Sequence, residues 1–252
     1  MSSKIFLLDA ITSIRIMGVT ILEPVTVLTN LLIALTCFYA YLQLRKQGVV
    51  TKASKLLQLF FIAMGIASAL GGLLGHGFLY AVGKYGKIPG WYASMFAVAF
   101  FERAAIEHAR PLMHSNTAKF FSIFNYLEIA GFMIAALLTL QFRFVEMHAT
   151  YGLFVVVFCF ELFVYVKQKD TGSLYVFTGT FLAAVAALTH AYKIGLNEWF
   201  TYNDTSHVIM ATAVYCYYLG GANFNFYSSD RQPKNRLQLN PQRSRSESSL
   251  PL

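Results

Sequence analysis

The sequence predicts an all-α, polytopic membrane protein: a bundle of seven transmembrane helices, with the N-terminus outside and the C-terminus in the cytoplasm. Three observations carry this. Of 252 residues, 56% are hydrophobic and only 13% are charged, about half the charged share of a soluble domain. The apolar residues come in runs of about 20, the length of a spanning helix and too long for a strand. Lys and Arg divide unevenly between alternate loops, as the positive-inside rule requires.

The apolar runs place spans at 17–44, 56–82, 91–108, 120–140, 149–166, 174–192 and 200–226. Turn and charge signals separate them: "RKQGVVTKASK", "GKYGKIPG", "ARPLMHSNTAK", "QFRFVEMH", "KQKDTGS" and "KIGLNE". The third run is the least apolar, because "FERAAIEHAR" brings charges into its last turns. A six-span count follows if that element does not cross. With the N-terminus outside, 14 of the 20 Lys and Arg fall in inner segments and the tail; the other six are Lys4, Arg15, Lys84, Lys87, Arg143 and Lys193. The net charge of +8 is thus mostly an orientation signal. Basic residues spread over short loops give no reason to invoke nucleic-acid binding.

The chain divides into an outer segment (1–16), the transmembrane domain (17–228) and a tail (229–252). "MSSKIFLLDAITSIRIMG" is a poor signal peptide, since Asp9 and Arg15 interrupt its apolar run. It reads as a retained outer segment. The tail is polar and basic and carries three Pro, a disordered composition; its "RSRSES" reads as a solubilising stretch or a modification signal. Cys37, Cys159 and Cys216 lie in three different spans, which argues against a disulfide framework. The "NDT" at Asn203 falls at or within the bilayer and is discounted as a glycosylation acceptor.

Ionisable residues inside spans are costly and mark functional sites or paired interiors. Glu23 on the first span, His76 on the second, His190 on the sixth, and Asn203, Asp204 and His207 on the seventh all fall in the outer part of the bilayer. Glu23, Thr26 and Asn30 share one helical face, and so do Asn203, Asp204 and His207. Pro24 is expected to kink the first helix. The glycines of "GGLLGHGF" let a neighbouring helix approach His76 closely. His190, just before "AYK", also suits an ordinary interfacial position. His108, His114 and His148 belong to loops or helix ends and are expected to be solvated. Glu102 beside Arg103 reads as an interfacial ion pair. Glu128 is mid-span and needs a partner, either Asn125 or an imidazole elsewhere, unless it is protonated. The bland reading of the whole set is a hydrogen-bonded seam between helices.

This pattern resembles the alkaline ceramidase branch of the CREST superfamily of seven-span membrane proteins. Three motifs carry the likeness. "EPVTVLTN" gives Glu23, Thr29 and Asn30 in the first span; the second span ends on His76; the last opens with "NDTSHVIMATAVY", which keeps His207. The resemblance implies a seven-helix bundle with a zinc-centred site, His76 and His207 as ligands, that cleaves a lipid amide. The chain also departs from the pattern. Gly72 stands where the family has a Ser, "YAVGKYGKIPGWYASM" lacks the family's Asp, and Asn203 replaces the first His of the last span's pair. A catalytic zinc takes three protein ligands and a water, so Asp204 or His190 would have to supply the third.

Two functions remain open. One is a receptor, sensor or transporter that keeps the bundle and a polar pocket for a membrane lipid or small hydrophobic ligand. The other is a zinc-dependent hydrolase of a lipid amide or ester, with His76 and His207 on the metal and Glu23 or Asp204 moving protons. In either case the pocket comprises Thr26, Asn30, Asn203 and His190. The absence of a Lys from the seventh span, with Lys193 outside it, argues against a retinal Schiff base.

Overall fold

The structure, a computed structural model, describes residues 12–225. Most of the N-terminal segment, including Asp9, and the whole 229–252 tail lie outside the described residues.

The described chain opens on a β-hairpin. Strand β1 (Ser13–Ile16) pairs antiparallel with β2 (Val19–Leu22), Ser13 opposite Leu22. Met17 and Gly18 both take positive φ, 49° and 83°, the requirement of a two-residue turn between twisted strands. This corrects the expectation of a span from position 17. Ile14, Ile16, Val19, Thr20 and Ile21 are strand-favouring residues around a turn, and by hydropathy alone they merge with the helix that follows.

Helix α1 (Pro24–Lys46) begins where the hairpin ends. Pro24 sits in its first turn, where a missing N–H has no partner to lose. The proline therefore starts the helix; it does not kink it. Helix α2 (Lys52–Gly77) is capped by Thr51, whose Oγ1 accepts from Ser54 N at 3.1 Å, and its last stretch, Gly71–Gly77, widens into a π-helix. A helical turn at Leu79–Val82 and a 3₁₀ turn at Lys84–Lys87 lead into α3 (Ile88–Ala109). Helix α4 is Ser115–Thr139 and α5 is Arg143–Gln168, with a π-helical stretch at Tyr151–Val157. Asp170 caps α6 (Thr171–Ala191), accepting from Ser173 N at 3.0 Å. Thr201 and Asp204 form the capping box of α7 (Tyr202–Asn223).

Helix α2 packs between α1 and α3, and α7 packs on both α6 and α1, which closes the bundle. Helix α3 also packs on α4 and α5 and so runs through the middle. At the centre, Phe101 of α3 lies 4.7 Å from the rings of both Phe60 (α2) and Tyr217 (α7). Gly179 gives Tyr217 its place: a Cβ there would sit 2.6 Å from the ring.

Five helices, α1, α2, α4, α5 and α6, are long and apolar enough to cross a membrane. Their outward residues are large and apolar, for example Leu28 and Leu35 on α1, Leu138 on α4 and Phe181 on α6. The polar side chains Thr29, Asn30, Glu102, Asn125, His148, Glu161 and Asp204 are buried. Apolar outside and polar inside is the arrangement a lipid solvent demands; the protein is a helical membrane protein. Helix α3 falls below the apolar threshold because it carries Glu102, Arg103 and Glu107, yet most of its positions over 95–109 are buried. Its charges are shielded by its neighbours.

Candidate functional site

The expected outer cluster forms where α1, the π-helical end of α2 and the start of α7 meet. Glu23 ends the hairpin with a left-handed φ of 43°, a strained conformation for a residue with a side chain. Its carboxylate is hydrogen-bonded to His76 Nδ1. The π-helical stretch brings His76 close: a Cβ at Gly72 would lie 2.8 Å from the Asn30 Cβ, and one at Gly77 would lie 3.0 Å from Val27 Cγ2. Only glycine permits this approach. The Ser that the resemblance expects at position 72 has no room on this backbone.

Across the cluster, Thr29 Oγ1 lies 3.1 Å from His207 Nδ1, 3.2 Å from Asp204 Oδ1 and 3.1 Å from Thr26 O. Asn30 Nδ2 reaches His207 Nδ1 at 3.3 Å and Thr26 O at 3.0 Å. Asp204 Oδ2 accepts from Thr201 N at 2.6 Å and from Thr201 Oγ1 at 2.9 Å. Asp204 is thus a capping and bridging residue. Asn203 O accepts from Ser206 Oγ at 2.8 Å. His190 stands aside: its ring lies 5.2 Å from that of Tyr202, and its Nδ1 is 4.0 Å from Glu146 Oε1.

His76 and His207 approach edge to face, ring centres 6.4 Å apart. On one tetrahedral zinc, with Zn–N bonds of about 2 Å, two imidazole centres come to about 5 Å. Among the described residues, the trio of His, Cys, Asp or Glu whose donor atoms all lie within 4.8 Å of one another is Glu102, Glu128 and His148. Glu23, His76, Asp204 and His207 supply no such trio, so the outer cluster does not fit a three-ligand zinc.

Two further polar clusters went unread in the sequence. Between α3, α4 and α5, Asn125 Nδ2 donates to Glu102 Oε2 at 3.0 Å, and Glu128 Oε1 meets His148 Nδ1 at 2.7 Å. Glu128 therefore has the imidazole as its partner, and Asn125 serves Glu102. Arg103 turns away from Glu102 to donate to Ser122 O at 2.6 Å and lies over the Tyr126 ring, so the expected Glu102–Arg103 pair does not form. His148 is completely buried, against the expectation of a solvated loop. The reason is that α5 starts at Arg143, not at Ala149. Val145, His148 and Gly152 are all buried, at i, i+3 and i+7, a periodicity visible once the helix is begun early enough.

Near the opposite end of the bundle, His108 is also buried. Its Nδ1 lies 3.2 Å from both Glu161 oxygens, its ring stacks on Phe224, and Ser173 Oγ donates to Glu161 Oε2 at 2.7 Å. Asp170 Oδ1 accepts from Asn225 N at 2.9 Å. This network ties the ends of α3, α5, α6 and α7 together. Beside it, Glu107 takes Lys52 at 2.8 Å and Arg110 at 2.6 Å. The Arg110 guanidinium, just past the helix, is held above its usual pKa by that bond to Glu107.

The chain belongs to a family of unknown function, DUF6962, whose model matches residues 25–225. No curated protein and no solved structure matches it.

Proposed function

We propose that this DUF6962 member crosses the membrane seven times with its N-terminus outside, as a ceramidase-like bundle. In this reading its outer cluster binds the polar end of a membrane lipid or small hydrophobic ligand without hydrolysing it. The protein is then a receptor, sensor or transporter. One observation carries the reading: the His76 and His207 ring centres stand 6.4 Å apart, and among the described residues neither Glu23 nor Asp204 joins them in a trio of donor atoms close enough to share a zinc. The loss of room at Gly72 points the same way. The Glu23–His76 pair is the partly exposed edge of the cluster, so it is the part that can meet an amphiphile's head group. The apolar outer faces of α1 and α2 flank it for the tail.

The test uses the full chain in lipid nanodiscs, wild type beside Glu23→Gln and His207→Ala, with a long-chain ceramide as probe. Saturable binding, about tenfold weaker in Glu23→Gln through loss of a charge-assisted bond, with no release of fatty acid and no change of zinc content in His207→Ala, is the expected result. Zinc-dependent release of fatty acid, abolished in His207→Ala, would establish the hydrolase instead. Absence of saturable binding of any ceramide refutes the lipid pocket.

A further inference from the structure

We infer that Glu102, Glu128 and His148 form a buried binding site for a divalent first-row transition-metal cation, separate from the outer cluster. Each residue comes from a different helix, α3, α4 and α5, and offers a donor atom within 4.8 Å of the others. Two carboxylates and one imidazole make an N/O donor set suited to zinc, cobalt or manganese rather than calcium.

Three independent features point to a ligand. The first is an unmet demand. Glu102 Oε1 and Glu128 Oε2 are buried and have no hydrogen-bond partner, and Glu102 is completely buried. Two buried carboxylate oxygens left bare are costly. A cation between them satisfies both.

The second feature is the set of the imidazole. His148 Nε2 lies 3.0 Å from Met95 O, a contact only an Nε2–H can make. Nδ1, 2.7 Å from Glu128 Oε1, carries its own proton against that carboxylate, and a cation entering the site would displace this proton and take the freed lone pair. A ring N–H given to a backbone carbonyl is the usual support behind a metal-bound histidine. Asn125, donating to Glu102 Oε2, does the same for the carboxylate.

The third feature is the backbone that makes room. Gly152 lies against Glu102; a Cβ there would be 2.5 Å from Oε1. This glycine lies within the π-helical stretch of α5 at Tyr151–Val157, and such bulges recur at functional sites. A groove of about 680 Å³ between α4 and α5 has Glu128 in its wall, and a cavity of about 190 Å³ between α3 and α5 has His148 in its wall.

The inference stands apart from the lipid reading of the outer cluster, and one experiment separates them. The full chain, stripped with chelator and titrated with cobalt, is compared with Glu102→Gln, Glu128→Gln, His148→Ala and His207→Ala. Cobalt reports through its visible d–d spectrum, and circular dichroism with size exclusion checks each variant's fold. We expect about one cobalt per chain in the wild type and in His207→Ala, with affinity at least about tenfold weaker in the other three. The near-isosteric Gln variants keep the argument testable where His148→Ala fails to fold. No cobalt in the wild type, meaning that water fills the gap, overturns this site and leaves the lipid reading standing. Cobalt lost in His207→Ala but kept in both Gln variants overturns both.

Discussion

Gly179 and Gly131 offer a matched pair of substitutions that tests the bundle's closure. Both are helical glycines, on α6 and α4. Changing either to Ala gains the same helix propensity, about 1 kcal/mol. What differs is space. A Cβ at Gly131 meets nothing within 4 Å. A Cβ at Gly179 would lie 2.6 and 2.7 Å from Tyr217 ring carbons and 3.0 Å from Ala213 O, where a relaxed carbon contact is about 3.5–4.0 Å. The ring cannot swing clear, because Phe101 packs 4.7 Å from it on the far side. Propensity cancels in the difference, which leaves the overpacking cost of about 1–3 kcal/mol. At roughly 2–4 °C per kcal/mol for a chain of this size, Gly179→Ala should melt roughly 2–12 °C below Gly131→Ala. Thermal unfolding in detergent, followed by tryptophan fluorescence, measures it. Equal melting temperatures would show that α6 and α7 do not approach as described, and the placement of His207 would fall with them.

Three more outcomes follow from the geometry. Thr29→Val keeps the shape but removes the hydroxyl between Asp204 and His207; stability should drop by about 1–3 kcal/mol and ceramide binding should weaken, whereas a neutral variant would make the cluster's polar contacts incidental. Ser173→Ala strips a donor from the fully buried Glu161 and should cost about 1.5–3 kcal/mol in denaturant unfolding; no loss would mean the His108–Glu161 network contributes little. In a cysteine-free background, Asn197→Cys should react with a membrane-impermeant maleimide on intact cells, and Val50→Cys only after permeabilisation; both on one side would refute seven spans.

What the sequence conveyed depended on the length scale of each signal. A run of 20 apolar residues is a strong, local fact: all seven helices overlap the apolar runs that announced them, although α1 starts seven residues later and α5 six residues earlier than its run. The hairpin at 13–22 was hidden because β-branched residues raise hydropathy as well as strand propensity. Its turn, Met17-Gly18, lacks the usual Asn or Asp, and only Glu23 stands between β2 and α1. The outer cluster was legible because its members recur at i, i+3 and i+7 on single helices and at matching depth on different ones. Depth could not tell which pairs touch. It put His190 in the pocket, where the fold gives it to Tyr202 and Glu146.

The error at His148 shows the limit most clearly, because a six-residue shift in one helix start changed a solvated loop residue into a buried one. Its consequence extends to α3. Read alone, "FERAAIEHAR" is the least membrane-like stretch among the helices, and it raised the prospect of a segment that does not cross. In the fold each of those polar residues has at least one partner: Glu102 has Asn125, Arg103 has Ser122 and Tyr126, Glu107 has Lys52 and Arg110, and His108 has Glu161. Lipid selects the apolar composition of helices at the rim, since they face the tails. Over its second half, α3 is packed among α2, α4, α5 and α7 and faces mostly protein, so its polar residues there are constrained by partners and not by hydropathy. The helix with three charged residues crowded into its buried second half is therefore the one that runs through the middle. A polar stretch flanked by apolar runs, in a chain this hydrophobic, is better read as the middle of the bundle than as an interruption of it.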